Sequence, residues 1–230
     1  MKKVLCIISG GMDSITMLYK YLKDGAEVTA ISFDYGQRHK KEIEFARLHC
    51  EENGVHLEVC DLSSLTGLIS RSSLTNPDIP VPFGHYEAKS MKATVVPNRN
   101  MIMISVAAGY AITIECDRLA YGAHSGDHAV YADCRPAFAD ALGEAIDLCD
   151  YSDLKLERPF IDIDKTEVAR IGSGLGLDYS ATWSCYVGDD IHCGKCGTCV
   201  ERREALRDAG IEDLTRYADD ATPLNEVLNA

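Results

Sequence analysis

The string Ser9-Gly10-Gly11-Met12-Asp13-Ser14 comes directly after an apolar run at 4–8. Glycines let the backbone approach a ligand, and the hydroxyls of Ser9 and Ser14 add donors. A helix opening at this point supplies unpaired N–H groups and a partial positive charge. These parts suit an anion. No Gly-Lys-Ser/Thr ending follows, so the loop is not a Walker A loop, and phosphate charge has to be met by another group. Asp13 is a candidate for fixing the loop or holding a metal ion. A plain turn at a helix start could use the same residue types, and the strand before and helix after favour the phosphate reading.

A second group is Cys185-x7-Cys193-x2-Cys196-x2-Cys199, with Gly194 and Gly197 allowing the tight turns that bring close neighbours onto one ion. Four thiolates in tetrahedral array suit zinc or an iron–sulfur cluster. No proline follows Cys199 and nothing else in the chain points to redox chemistry, which favours zinc. A closed four-thiolate site leaves no open position, so its expected role is structural. The other six cysteines (Cys6, Cys50, Cys60, Cys116, Cys134 and Cys149) stand in apolar or helical contexts and read as small core residues of a reduced chain.

The elements that must carry these groups alternate. Apolar runs at 4–8, 28–33 and 55–59 read as strands. Between them lie helices at 14–23, closed by Gly25, and 39–53, stopped by Gly54. Nearly continuous apolar strands alternating with helices predict a doubly wound parallel α/β sheet covered on both faces. From 61 to 94 the pattern dissolves into Ser, Thr, Pro and Gly, a length that is usually functional or mobile. Order returns with a helix from 98 to about 116, a strand at 118–121, a turn at 122–133 and a helix at 136–149. An edge strand at 159–161 and a helix at 165–175 follow. The expected division is a nucleotide-binding α/β domain over 1–180 and a four-cysteine zinc-binding helical region over 181–230.

Composition narrows the function. The 230 residues carry 23 basic and 36 acidic side chains, a net charge of −13 that repels nucleic-acid backbones. The apolar stretch 101–114 is shorter than the roughly 18 residues a membrane span needs. No signal peptide is recognisable, so a cytoplasmic protein without membrane or nucleic-acid partners is expected. The oligomeric state stays open, with a homodimer as the assembly considered.

The Ser-Gly-Gly-x-Asp-Ser string is similar to the signature of the PP-loop, or ATP pyrophosphatase, family. With it stand Val96-Pro97-Asn98-Arg99-Asn100, Gly122-x-His124-x2-Asp127, Tyr131-x-Asp133-Cys134-Arg135-Pro136-x-Phe138 and Thr182-Trp183-Ser184-Cys185-Tyr186. From residue 2 to about 217 the set resembles the 7-cyano-7-deazaguanine synthase family. The resemblance implies a ligase that joins ammonia to 7-carboxy-7-deazaguanine, consuming ATP with Mg2+, in queuosine or archaeosine biosynthesis. It further implies that Ser9, Gly10, Gly11, Met12, Asp13 and Ser14 hold the triphosphate, that Ile31 to Phe33 lie against the adenine, and that Arg99 and Gly122 join the nucleotide contacts. Lys165 matches a lysine that similar enzymes place near the phosphates, and with Asp13 and Ser14 it forms the expected catalytic set. Arg99 and Arg135 suit a carboxylate, and Asp133 suits a guanine-like edge. Surface salt bridges remain open for these three. His124 and Asp127 are ligand or metal candidates or a turn-stabilising pair.

Three other readings share the loop. The tRNA thiolase and tRNA-lysidine group adenylates a nucleic acid, which the net charge disfavours. A zinc-stabilised nucleotide-binding module without catalysis is the non-enzymatic alternative. Amidotransferases such as GMP or NAD synthetases would not need four cysteines. No glutaminase sequence is visible, so free ammonia is the expected nitrogen source.

Overall fold

The computed structural model describes residues 1–38, 40–86 and 89–228. Five strands, β1 (Lys3–Ile7), β2 (Glu27–Asp34), β3 (His56–Asp61), β4 (Arg118–Ala120) and β5 (Lys155–Glu157), form one sheet in the order β3-β2-β1-β4-β5. Every pairing is parallel. The helices are α1 (Met12–Lys23), α2 (Lys41–Glu52), α3 (Arg99–Thr113), α4 (Pro136–Cys149), α5 (Lys165–Gly174), α6 (Gly197–Ala209) and α7 (Leu224–Leu228). None is long and apolar enough to cross a membrane.

The central strand explains the layering. Leu5 joins Ile31, Phe33 and Leu119 in a core shared with Ile104 and Ala107 of α3 and Leu142 and Ile146 of α4. Val4, Cys6 and Ile8 point the other way, into a core with Ile15 and Leu18 of α1 and Val168 and Ala169 of α5. A strand covered on both faces has no polar side to show, which is why it reads as a continuous apolar run.

The fifth strand differs from expectation. It lies at Lys155–Glu157, where Leu156 pairs with Leu119, and not at 159–161. Pro159 has no N–H to give a ladder, and the chain turns there, with Ile161 N donating to Arg158 O and Ile163 N to Phe160 O. Phe160 and Ile161 are apolar because each fills a different core, one on each side of the sheet. The expected helix start at His39 lies outside the described residues, and the helix runs over Lys41–Glu52. Among the six other cysteines, Cys149 is exposed at the end of α4 and Cys60 is half-buried, so the core reading holds for Cys6, Cys50, Cys116 and Cys134.

Strand order reverses between β1 and β4, and in such sheets the crevice beyond the strand ends at that point takes the ligand. The segment Ser9–Ser14 leads from β1 into the first turn of α1, and the loop after β4 begins at Tyr121 and carries Gly122. A Cβ on Gly122 would stand 3.3 Å from the Asp13 carbonyl carbon and the Ser14 nitrogen, so the two loops need this glycine to close on each other. The irregular stretch from 62 carries 3-10 turns at Ser63–Leu68 and Lys89–Thr94. Between the two turns it touches the cysteine region, where Gly84 N donates to Lys195 O at 3.0 Å.

Candidate active site

Gly11 caps α1 without a side-chain hydrogen bond, and the first bond within the helix runs from Ile15 N to Gly11 O. The amides of Met12, Asp13 and Ser14 are therefore left for a ligand. Ser14 Oγ accepts from Ser9 N at 3.1 Å and donates to Gly11 O at 3.1 Å, holding the loop open. Gly10 has φ +82°, and a Cβ there would collide with the carbonyl oxygen of Glu42. The glycine thus lets the loop lie directly against the first turn of α2.

Beside the loop sits a cluster of charges. Lys165, at the start of α5, reaches Asp13 Oδ2 at 3.1 Å and Glu201 Oε2 at 2.8 Å. His124 Nδ1 accepts from Gly126 N, which puts the ring proton on Nε2. That nitrogen faces Asp127 at 3.6 Å and Asp13 and Glu201 at 3.9 Å each, without a hydrogen bond to any of them. Asp13 Oδ1 is likewise buried and unpartnered. Burial works against the charge on Lys165, but Asp13 and Glu201 outweigh it and hold the ammonium protonated well above the ordinary lysine range. Burial also opposes ionisation of Asp13, yet Lys165 and His124 pull its carboxyl below the usual value. For Glu201 burial wins and the carboxyl is raised, since one lysine cannot neutralise every acid around it.

Loop and cluster form one wall of a cleft of about 230 Å³. Ser32, Phe33, Met103 and Gly122 line it together with Tyr35, Tyr86, Tyr131, Tyr186, Glu42 and Arg99. The guanidinium of Arg99 stands 5.7 Å from the Tyr131 ring centroid. Tyr131 is fixed by Thr94 Oγ1 at 2.8 Å, and Tyr186 OH stands 3.4 Å from its hydroxyl.

The four cysteine sulfurs, Cys185, Cys193, Cys196 and Cys199, lie within 4.8 Å of one another and could hold a metal ion. Cys185 Sγ accepts from Gly188 N at 3.0 Å and Cys193 N at 3.2 Å, and Cys193 Sγ from Cys196 N at 3.3 Å. Amides aimed at sulfur favour thiolates. Trp183 joins this region to the loop, its N–H donating to Gly10 O at 2.9 Å and its indole N–H to Cys185 O at 3.0 Å.

Most residues singled out from the sequence meet at this cleft. Ser9, Gly11, Met12, Asp13, Ser14, Phe33, Arg99, Gly122 and Lys165 line it. Gly10 lies behind the loop, and Ile31 is buried within the sheet with its carbonyl taken by Ile8 N. Asp133 and Arg135 stand elsewhere. Asp133 accepts from Asn100 N at 3.1 Å and so caps α3, while Arg135 donates to His128 O at 2.9 Å from an exposed position. Sequence reasoning missed Glu201, Glu42, Tyr35 and Tyr86. For Glu201 a signal existed, because it follows Cys199 by two residues and metal-held cysteines fix the helix that bears it. Glu42 lies in a run of charges that resembles any solvated helix.

A family model described as queuosine biosynthesis protein QueC matches residues 3–210. The 7-cyano-7-deazaguanine synthase of Psychromonas ingrahamii is 50% identical over 218 residues, covering 95% of this chain and 99% of the relative. That of Methanoregula boonei is 52% identical over 215 residues, covering 94% and 99%. Among solved structures, the U34-tRNA thiolase NcsA from Methanococcus maripaludis with its 4Fe-4S cluster aligns with a TM-score of 0.52 and 21% identity, over 100% of this chain and 80% of that one. At that identity the likeness shows the fold alone. On the strength of the family model and the near full-length relatives, this chain belongs to the QueC family of queuosine biosynthesis, the 7-cyano-7-deazaguanine synthases.

Proposed function

We propose that this chain converts 7-carboxy-7-deazaguanine, ammonia and ATP to 7-cyano-7-deazaguanine by adenylating two oxygens in turn at one site. The observation that carries the reading is the meeting, in a single cleft, of an open helix N-terminus, a buried lysine and an aromatic chamber holding an arginine. A carboxylate does not react with ammonia at neutral pH. Attack of its oxygen on the α-phosphorus of ATP expels pyrophosphate and leaves an acyl adenylate, from which ammonia displaces AMP to give the amide. The amide oxygen then attacks a second ATP, and loss of AMP and the amide protons gives the nitrile. Going from acid to nitrile removes two oxygens and adds one nitrogen, and the sequence carries a single loop of this kind.

In this scheme the amides of Met12, Asp13 and Ser14 and the Lys165 ammonium take the phosphates, and Phe33 and the edge of β2 lie against the adenine. Arg99 takes the substrate carboxylate in a fork geometry. Asp13, Asp127 and Glu201 outnumber the cations facing them, so a bare triphosphate would meet excess negative charge. Mg2+ entering with ATP satisfies these carboxylates, and the unpartnered Asp13 Oδ1 suits a hard cation.

The cysteine site suits zinc. A single zinc with four sulfurs at about 2.3 Å sets them roughly 3.8 Å apart, and Cys193 and Cys199 stand 4.0 Å apart. A four-iron cluster binds each cysteine through a different iron and needs wider spacing. Zinc would hold residues 181–230 together as a structural region on the α/β domain of 1–180. The acidic charge of −13 fits free small molecules in the cytoplasm better than a nucleic acid. Mass analysis of the pure protein with ATP, ammonium and the acid should give the nitrile, and no product from the acid would overturn the reading.

A further inference from the structure

Three carboxylates line the cleft: Asp13, Asp127 and Glu42. Asp13 is paired with Lys165 at 3.1 Å, and Asp127 accepts from Tyr86 OH at 3.0 Å. Glu42 differs from both. Its side chain has neither a hydrogen bond nor an ion pair among the described residues, although Arg99 acts on it through the cleft. It projects from the first turn of α2, which is clamped against the phosphate loop by the tight approach of Gly10. The residue is half-buried at the cleft wall, and a carboxylate drawn partly out of water without donors is costly and is retained where a ligand supplies them.

The reactants differ in what they can offer such a group. A triphosphate is an anion and is repelled. Adenine presents one amino donor flanked by a ring-nitrogen lone pair, so one carboxylate oxygen would face an acceptor. A guanine-type edge presents its ring N1–H and its 2-amino N–H side by side, the spacing that two carboxylate oxygens accept together. The cleft around Glu42 has Tyr35, Tyr86, Tyr131, Tyr186 and Trp183 in its walls, which suits a flat bicyclic ring better than a bare ammonium ion. We propose that Glu42 is a specificity-determining residue that receives the paired N1–H and 2-amino donors of the deazaguanine ring. Burial pushes the empty carboxyl up to about 7 against the opposing pull of Arg99, and two incoming N–H donors stabilise its charged form.

This assignment rests on the proposed function and is tested with kinetics on the full chain, using the parent acid and the analogue that lacks the 2-amino group. The wild type should use the analogue on the order of 10- to 100-fold less efficiently in kcat/KM, the range for a hydrogen bond to a charged group. Glu42→Gln should raise KM for the parent acid by a similar factor, leave KM for ATP and ammonium in place, and bring the two acids close to parity. Should that variant not fold, Glu42→Asp, which keeps the charge but withdraws it by one methylene, should show the same selective rise in KM. A wild type that converts both acids equally, or a variant that keeps full discrimination, overturns the assignment. A rise confined to KM for ammonium also overturns it and makes Glu42 the ammonium site. A wild type that leaves the parent acid untouched contradicts the proposed function instead.

Discussion

Lys165 is held between two acids, Asp13 at 3.1 Å and Glu201 at 2.8 Å, with its side chain only 11% exposed. In the proposed scheme its removal takes a cation from the phosphates, and it leaves those acids without their partner. Lys165→Ala should therefore lower kcat/KM by about 10²- to 10³-fold, the range for a lost electrostatic contact in a preorganised site. Steady-state kinetics with saturating acid and ammonium checks this, and an unchanged ATP dependence would return Lys165 to a merely structural ion pair. The same cluster sets an acid limit on stability. Asp13 titrates below its unfolded value of about 3.9, so the stability it contributes is present above that pH and lost as pH falls through the lower folded value. Thermal melts between pH 5 and 2 should fall more steeply for the wild type than for Asp13→Asn. Equal slopes would mean that the pairing contributes nothing. At this scale the sequence showed residues whose chemistry is local. Ser9 to Ser14 are consecutive and need only a strand and a helix around them. Glu42 was invisible because its place depends on packing between α2 and the loop, which a charge run does not announce, and Glu201 was marked only by its spacing from Cys199.

The helix α6 is fixed from three directions. Cys196 caps its start and Cys199 lies in its first turn. Arg202, fully buried, donates to Thr182 Oγ1 at 2.8 Å and Thr215 Oγ1 at 2.8 Å. Glu201 rides between these anchors into the charge cluster around Lys165, so the four-cysteine group and that cluster share an element. Purified protein should contain about one zinc per chain, as one tetrahedral site requires, and iron–sulfur absorption in anaerobic preparations would contradict this. Cys196→Ser should cost ~3 kcal/mol or more, which for a chain of this size lowers the thermal midpoint by roughly 6–12 °C. In the folded fraction kcat should fall further than nucleotide affinity, because Glu201 loosens while the amides of α1 stay in place. The strands of this fold were legible because β1 and β2 are covered on both faces and β3 continues the pattern beside them. The fifth was misplaced by a few residues because Phe160 and Ile161 carry the apolar signal of a strand while serving as plugs after a turn.

The whole molecule is a parallel sheet whose order reverses between β1 and β4, and the cleft opens at that reversal. Alternating strands and helices made this architecture readable from the sequence, since their order leaves few ways to cover both faces of a parallel sheet. The aromatic chamber was not readable. Its tyrosines are residues 35, 86, 131 and 186, far apart in the chain and supplied by the loops after β2 and β4, the irregular stretch and the cysteine region. The chain carries a net charge of −13, and binding of tRNA should stay undetectable even at low ionic strength, where electrostatic attraction would be strongest. In the proposed reaction one site adenylates two oxygens of one carbon. Supplying the acid with both carboxyl oxygens labelled by heavy oxygen, together with ATP and ammonium, tests it by mass analysis of the nucleotides. The expected result is two molecules of AMP per nitrile, each carrying one labelled oxygen, with none in pyrophosphate. Label appearing in inorganic phosphate with release of ADP, or in water with unlabelled AMP, would contradict it.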